Sequence, residues 1–256
     1  MPQISPKSLV SETAKLAEDV VVGPFSYIGP EVRLDAGCVI HSNVSLVGKT
    51  TLGQGCVVFP LAVIGVPAPG EAEGGQCILG EANAIREHVT ICAGLEAPTR
   101  IGNHNLIMIA SQIGAGATVG DHGIFDNYSR IGAGAVVEDY VRTSGFAVIA
   151  DGNRLGAYSF VAAFGSVVHD GPPYAMLQGS PVRVRGVNTR NLKACGFGGD
   201  DIQALKRAFR ELFNGPENQV NPKVLLRLAS RKDLNPYVRK LVEAVRSASA
   251  NEADDD

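Results

Sequence analysis

One aliphatic residue returns every six positions through most of this 256-residue chain. Counting in sixes from Ile4 meets Val10, Leu16, Val22, Ile28, Leu34, Ile40, Leu46, Leu52, Val58 and Ile64. A second phase holds Leu79, Ile85 and Ile91. A third runs from Ile101 through Ile107, Ile113, Val119, Phe125, Ile131, Val137, Thr143, Ile149, Leu155 and Val161 to Val167, with Thr143 its one polar and Phe125 its one aromatic member. A period of six is neither the 3.6 of a helix nor the 2 of a simple strand. It suits a solenoid in which each short strand points one side chain inward before the chain turns. Three such hexads close a triangular coil, and coils stack as parallel strands ~4.8 Å apart. The twenty-six hexads make between eight and nine coils. Cys38 and Cys56, eighteen apart, are expected to stack inside neighbouring coils.

Two phase breaks mark loops that leave the coil, at residues 66–77 (VPAPGEAEGGQC) and 93–100 (AGLEAPTR). Insertions of this kind tend to gather on the working side of a solenoid. The expected organisation is an all-β parallel β-helix over 1–170, an irregular handover over 171–198, a helical domain over 199–248 and a disordered acidic tail over 249–256. In the helical domain Ile202, Leu205, Phe209 and Leu212 make one apolar stripe behind Asp200 and Asp201, and two further amphipathic segments open near a proline.

Charge is unevenly spread: residues 183–246 carry fourteen Lys and Arg against six Asp and Glu, while 1–182 are net acidic. A basic C-terminal segment on an acidic body suggests an anionic ligand or an acidic partner. The cluster Arg183, Arg185, Arg190 and Lys193 stands at the handover. No signal peptide, membrane span, nucleic-acid module, phosphate loop or resident cofactor is expected, and five cysteines without a C-x-x-C read as reduced thiols in the cytoplasm.

Several strings are more specific than the repeat: IREHVTI, IGNHNLIMI, DGPPYAMLQG and RGVNTRNLKACGF. Through them the chain resembles the UDP-N-acetylglucosamine O-acyltransferases that begin lipid A synthesis. That resemblance implies a left-handed β-helix with a small α-helical domain, a homotrimer, and transfer of a 3-hydroxyacyl group from acyl carrier protein to a UDP-sugar hydroxyl. The family's base, a histidine, falls on Ala115, and the residue orienting it falls on Gly116. Three further histidines of the family fall on Gln112, Gly134 and Ala150, a glutamate on Arg190, and two arginines on Ala194 and Cys195. Asn188 and Gln178 match. The candidate substrate-binding residues are Asn188, Gln178 and Gln112 by position in the resemblance, with Arg185 and Arg190 from the basic cluster. A sugar hydroxyl needs a base before it attacks, and losing one forfeits about 10² to 10⁴ in rate. Little or no transfer by the family's own mechanism is expected.

His104 and His122 lie eighteen apart and are expected one above the other on adjacent coils. Three readings stand for them: exposed corner residues, a relocated base, or zinc ligands as in the γ-class carbonic anhydrases, which share the repeat. His41, His88 and His169 complete the set. Function is left between an acyltransferase with an altered substrate or a displaced base, a non-catalytic binder of sugar nucleotide, carrier protein or a related trimer, and a zinc-dependent enzyme.

Overall fold

In the computed structural model, which describes residues 1–70, 72, 74–215 and 219–254, the hexads fold into a left-handed parallel β-helix. Its strands run from β1 (Gln3–Ile4) to β26 (Ser166–Val167), most of them two residues long, and are dealt in turn to three sheets. Sheet A starts with β1, sheet B with β2 (Leu9–Val10) and sheet C with β3 (Lys15–Leu16). Each aliphatic position of the sequence series sits under its counterpart on the next coil, as where Val22 pairs Ile40 and Ile40 pairs Val58. Sidedness follows from the pleat: in each two-residue strand one side chain points out and its neighbour in.

The two exceptions in the series are accommodated locally. Phe125 is fully buried because its neighbour Gly123 has no side chain, and a Cβ there would stand 2.7 Å from the ring. Thr143 shares a 2.8 Å hydrogen bond with Ser129 and accepts one from the Asp126 amide at 3.1 Å. Cys38 and Cys56 stack as expected and donate to the Gly53 and Gly80 carbonyls at 3.2 and 3.1 Å. Above them the same buried column continues as asparagine. Asn83 donates to Gly80 and Gly102 carbonyls and accepts from the Asn105 amide. Asn105 in turn donates to the Gly120 carbonyl and accepts from the Gly123 amide. Each side chain thus closes turn groups that no strand partner reaches.

The parallel stack does not stop at β26. After Pro172 and Pro173, β27 (Ala175–Gln178) lies on β25 (Phe160–Val161) and makes the tenth parallel rung of sheet A. It then pairs antiparallel with β28 (Arg183–Val187), and α1 (Thr189–Ala194) follows. The segment 171–198, expected to be irregular, therefore holds a hairpin and a helix. Local proline and glycine conceal this because the ordering contacts are distant. Asn188 caps α1 and donates to the Tyr158 carbonyl at 2.8 Å, and Asn191 donates to the Tyr140 carbonyl at 2.8 Å.

Helices α2 (Gly199–Leu212), α3 (Pro222–Ala229) and α4 (Pro236–Asp254) complete the chain, and the stripe Ile202, Leu205, Phe209, Leu212 is buried. The tail expected to be disordered from residue 249 is helical as far as Asp254, and its last two residues lie outside those described. No described helix is long and apolar enough to cross a membrane. Lys240 of α4 is tied to the solenoid through Glu138 at 3.1 Å, and Glu138 also accepts from Arg154 and the Ala157 amide. Burial opposes ionisation of Glu138, but these three donors outweigh it and hold its carboxyl below the usual glutamate range. A depressed carboxyl stabilises the fold fully above its unfolded value near 4.5, and the contribution disappears as pH falls through the lower folded value. Glu138→Gln is expected to cost about 1–2 kcal/mol. Hydrogen exchange should locate that loss in α4, and the difference from wild type should vanish in acid.

Candidate functional site

Each of the three edges of the prism has its own chemistry. The edge between sheets A and B carries exposed apolar groups, with Tyr128, Phe146 and Phe164 stacked at 4.9 and 5.1 Å between ring centroids. The edge between C and A carries a ladder of His104, His122, Tyr140, Tyr158 and Tyr174, spaced at 5.0, 4.7, 4.9 and 5.9 Å. Tyr158 and Tyr174 end it against Phe197, and Tyr174 also meets Tyr237. Burial raises both phenols above the ordinary tyrosine range, so neither is suited to take a proton near neutral pH.

Both loops that break the hexad phase leave the third edge, between sheets B and C. The first joins β11 (Val63–Val66) to β12 (Gln76–Leu79), and the second joins β14 (Thr90–Cys92) to β15 (Thr99–Ile101). They are tied together by a reciprocal pair of hydrogen bonds between Gln76 and Gly94 at 2.9 and 3.1 Å. Gly94 permits the second loop to fold flat: a Cβ there would stand 1.9 Å from the Ala97 carbonyl oxygen and 2.6 Å from the Gly116 nitrogen. Thr99 Oγ1 accepts from the Gly116 amide at 2.9 Å and donates to the Cys92 carbonyl at 2.7 Å, fixing the loop base against the next coil.

Ala115 and Gly116 form that next coil's corner. The structure brings the sequence-derived positions together here: Gln112 is exposed on β17 (Gln112–Ile113), Ala115 and Gly116 follow it, and Gly134 and Ala150 lie on the two coils above. Ala115 is only 8 % exposed, and Gly116 and Gly134 have φ of +68° and +64°. A Cβ built at Gly134 meets no atom within 4 Å. These middle coils form an open shelf on which Ala115, Gly116, Gly134 and Ala150 carry no group that accepts a proton.

His104 and His122 stack as the eighteen-residue spacing implied, but on the edge between C and A. Their rings are within 6° of parallel, so their in-plane lone pairs run side by side. Among the described residues no group of three or more His, Cys, Asp or Glu is arranged to hold a metal. Burial pushes the Cys77 thiol up to about 12, which leaves it an inert interior group.

At the handover Gln178 pairs with Arg183 across β27 and β28, and Arg185, Arg190, Lys193 and Ala194 are exposed. Cys195 closes α1. Asn188 is 6 % exposed, and both ends of its amide are engaged within the fold. The string GVNTRNLK thus serves to dock α1 on the tyrosine edge, a role that its spacing alone does not disclose.

Residues 170–251 match the family described as UDP N-acetylglucosamine O-acyltransferase, domain 2. The acyl-[acyl-carrier-protein]–UDP-N-acetylglucosamine O-acyltransferase of Saccharophagus degradans is 37% identical over 219 residues, covering 83% of this chain and 85% of that protein. The protein of the same name from Azorhizobium caulinodans is 34% identical over 248 residues, 94% of this chain and 91% of its own. Among solved structures, LpxA from Acinetobacter baumannii superposes with a TM-score of 0.87 at 28% identity, over 96% of this chain and 97% of that one.

Proposed function

Because the chain belongs to the acyl-[acyl-carrier-protein]–UDP-N-acetylglucosamine O-acyltransferase family, we propose that it transfers a 3-hydroxyacyl group from acyl carrier protein to a UDP-sugar hydroxyl without a base at position 115. The observation that carries this reading is the juxtaposition on one edge. Both insertion loops, Gln112 and the open shelf of Ala115, Gly116, Gly134 and Ala150 all meet between sheets B and C. That arrangement keeps the space for two substrates and omits the group that activates one of them.

Gln112 and Gln178 supply neutral donors and acceptors for the sugar nucleotide, and Arg185 and Arg190 supply positive charge for its diphosphate. Asn188 supports that surface by holding α1 in place. The basic helical domain offers the acidic carrier protein an attractive field. A homotrimer working in the cytoplasm completes the reading, and light scattering should report three times the 26.8 kDa chain mass.

A second reading, a non-catalytic binder of the same ligands, is favoured by the bare corner itself. Calorimetry separates binding from chemistry. Wild type is expected to bind UDP-N-acetylglucosamine, and Arg185→Glu with Arg190→Glu should weaken binding about tenfold at low salt and less at high salt. Failure of wild type to bind either UDP-N-acetylglucosamine or 3-hydroxyacyl carrier protein would overturn both readings.

A further inference from the structure

Each short strand of the solenoid turns one side chain inward and its neighbour outward, so every sheet carries an outward column. On sheets B and C polar groups interrupt that column: Ser45, Thr90, Gln112 and Arg130 on B, and Lys15, Arg33, Arg100 and Arg154 on C. Sheet A differs. Its outward column reads Val21, Val39, Val57, Ala84, Leu106 and Ile124 without a break, and Phe160 and Met176 follow above Arg142. The register is continuous, because Val21 pairs Val39, Val39 pairs Val57, Val57 pairs Ala84, Ala84 pairs Leu106 and Leu106 pairs Ile124. The core is already filled by the inward neighbours, such as Val22, Ile40 and Ile107, so it does not account for this outer row.

The apolar strip continues onto the edge between sheets A and B. Phe25, Leu61, Tyr128, Phe146 and Phe164 stand there, each three residues after an inward position of sheet A, and they are between 48% and 69% exposed. The last three stack ring on ring into one ridge. Parallel sheets with an apolar outer face are covered in folded proteins, and an exposed apolar surface of this length marks an interaction site. The helices of the chain stand elsewhere: α2 packs on β28, and Phe197 and Tyr237 close the edge between C and A.

Shape selects the occupant. The outward column repeats once per coil, ~4.8 Å apart, from Val21 to Phe160. A globular partner has no matching repeat, whereas a second solenoid lying alongside offers one rung for every rung. At ~4.8 Å per coil and ~3.3 Å per residue, strip and ridge cover roughly 34 Å by 20 Å, on the scale of the about 800 Å² per partner that stable interfaces bury. Arg142 is the one charged member of the column, so contact strips little charge of its water.

We propose that copies of this chain join side by side through the outer face of sheet A and the aromatic edge between A and B. This inference deepens the homotrimeric reading and rests on it for the number of copies. The strip of one copy meets the ridge of the next, a heterologous contact that closes as a ring. Sheet C then faces outward, where Lys15, Arg33, Arg100 and Arg154 keep their water.

Light scattering on the full chain, as wild type, Leu106→Asp and Val136→Asp, tests the surface. Val136 is the control because it holds the equivalent outward, half-buried position on sheet C. Leu106→Asp should lower the mass at micromolar concentration from three chains to the 26.8 kDa of one, while Val136→Asp keeps the wild-type mass. Thermal melts check that both variants fold. Should Leu106→Asp fail to fold, a tryptophan reporter gives a second readout, since the chain has no tryptophan of its own. Acrylamide should quench Phe146→Trp several-fold less than Val136→Trp in the assembled protein, although Phe146 is 49% exposed in the single chain. An unchanged mass for folded Leu106→Asp, equal loss of mass in both Asp variants, or equal quenching of the two tryptophans overturns the proposal and leaves the homotrimer standing. A monomeric wild type overturns the proposal and the homotrimer together, and leaves acyl transfer to its own assay.

Discussion

Ala115→His combined with Gly116→Asp is expected to raise acyl transfer to UDP-N-acetylglucosamine about tenfold over wild type. A general base in place is worth about 10² to 10⁴. The increase stays at the low end because Gln112, Gly134, Ala150 and the short first loop offer the acceptor no further anchoring. Wild type itself is expected to be slow, since an open shelf without a base activates the hydroxyl poorly and excludes little water. The backbone tolerates the change. Gly116 has φ of +68°, a conformation that His104, His122 and twelve other non-glycine residues adopt at the corners of the other two edges. A Cβ at 116 would find its nearest neighbour, the Ala97 oxygen, at an ordinary 3.6 Å. Steady-state rates of wild type and the double variant, with thermal melts to confirm folding, measure the effect. A double variant that folds and gains nothing would mean that this corner does not receive the acceptor.

The largest expected loss of stability comes from the buried asparagine column. Asn105→Leu leaves the Gly120 carbonyl and the Gly123 amide without the side chain that closes them at 2.9 and 2.7 Å. Stranding buried polar groups costs about 2–4 kcal/mol for the pair. Leucine is also wider than the asparagine it replaces, and Phe125 already fills the space beside Gly123. Urea unfolding should show the midpoint falling, while Asn103→Ala, at a half-buried neighbouring position, should cost less. Equal losses at the two sites would remove the column's special role.

The solenoid is readable in the sequence because each coil buries one residue per side. Twenty-six inward positions then repeat with a period that no helix or ordinary strand shares. The helical stripe from Ile202 to Leu212 is readable for the same reason, as a local pattern answers a local burial need. The handover resisted reading because its order is long-range: Asn191 reaches the carbonyl of Tyr140, fifty-one residues earlier. The structural part of Asn188 was not legible in its string: its buried amide caps α1 and reaches the Tyr158 carbonyl. The site was partly legible. Both loops, Gln112 and the vacated corner do share one edge, whereas His104 and His122 stand on another. Spacing within one uninterrupted phase tells which edge a residue occupies, and two loops below Ala115 disturb that count only for residues beneath them.

Single-turnover conversion tests the central claim most directly, that the protein performs acyl transfer although position 115 holds alanine. Wild type in excess over UDP-N-acetylglucosamine, saturated with 3-hydroxyacyl carrier protein, would be sampled over hours, and the ester product would be quantified by mass spectrometry. Slow conversion that proceeds to completion, with release of one carrier-protein thiol per ester formed, is the predicted result. Both ligands bound by calorimetry with no ester above the enzyme-free control would contradict it and establish a binding protein instead.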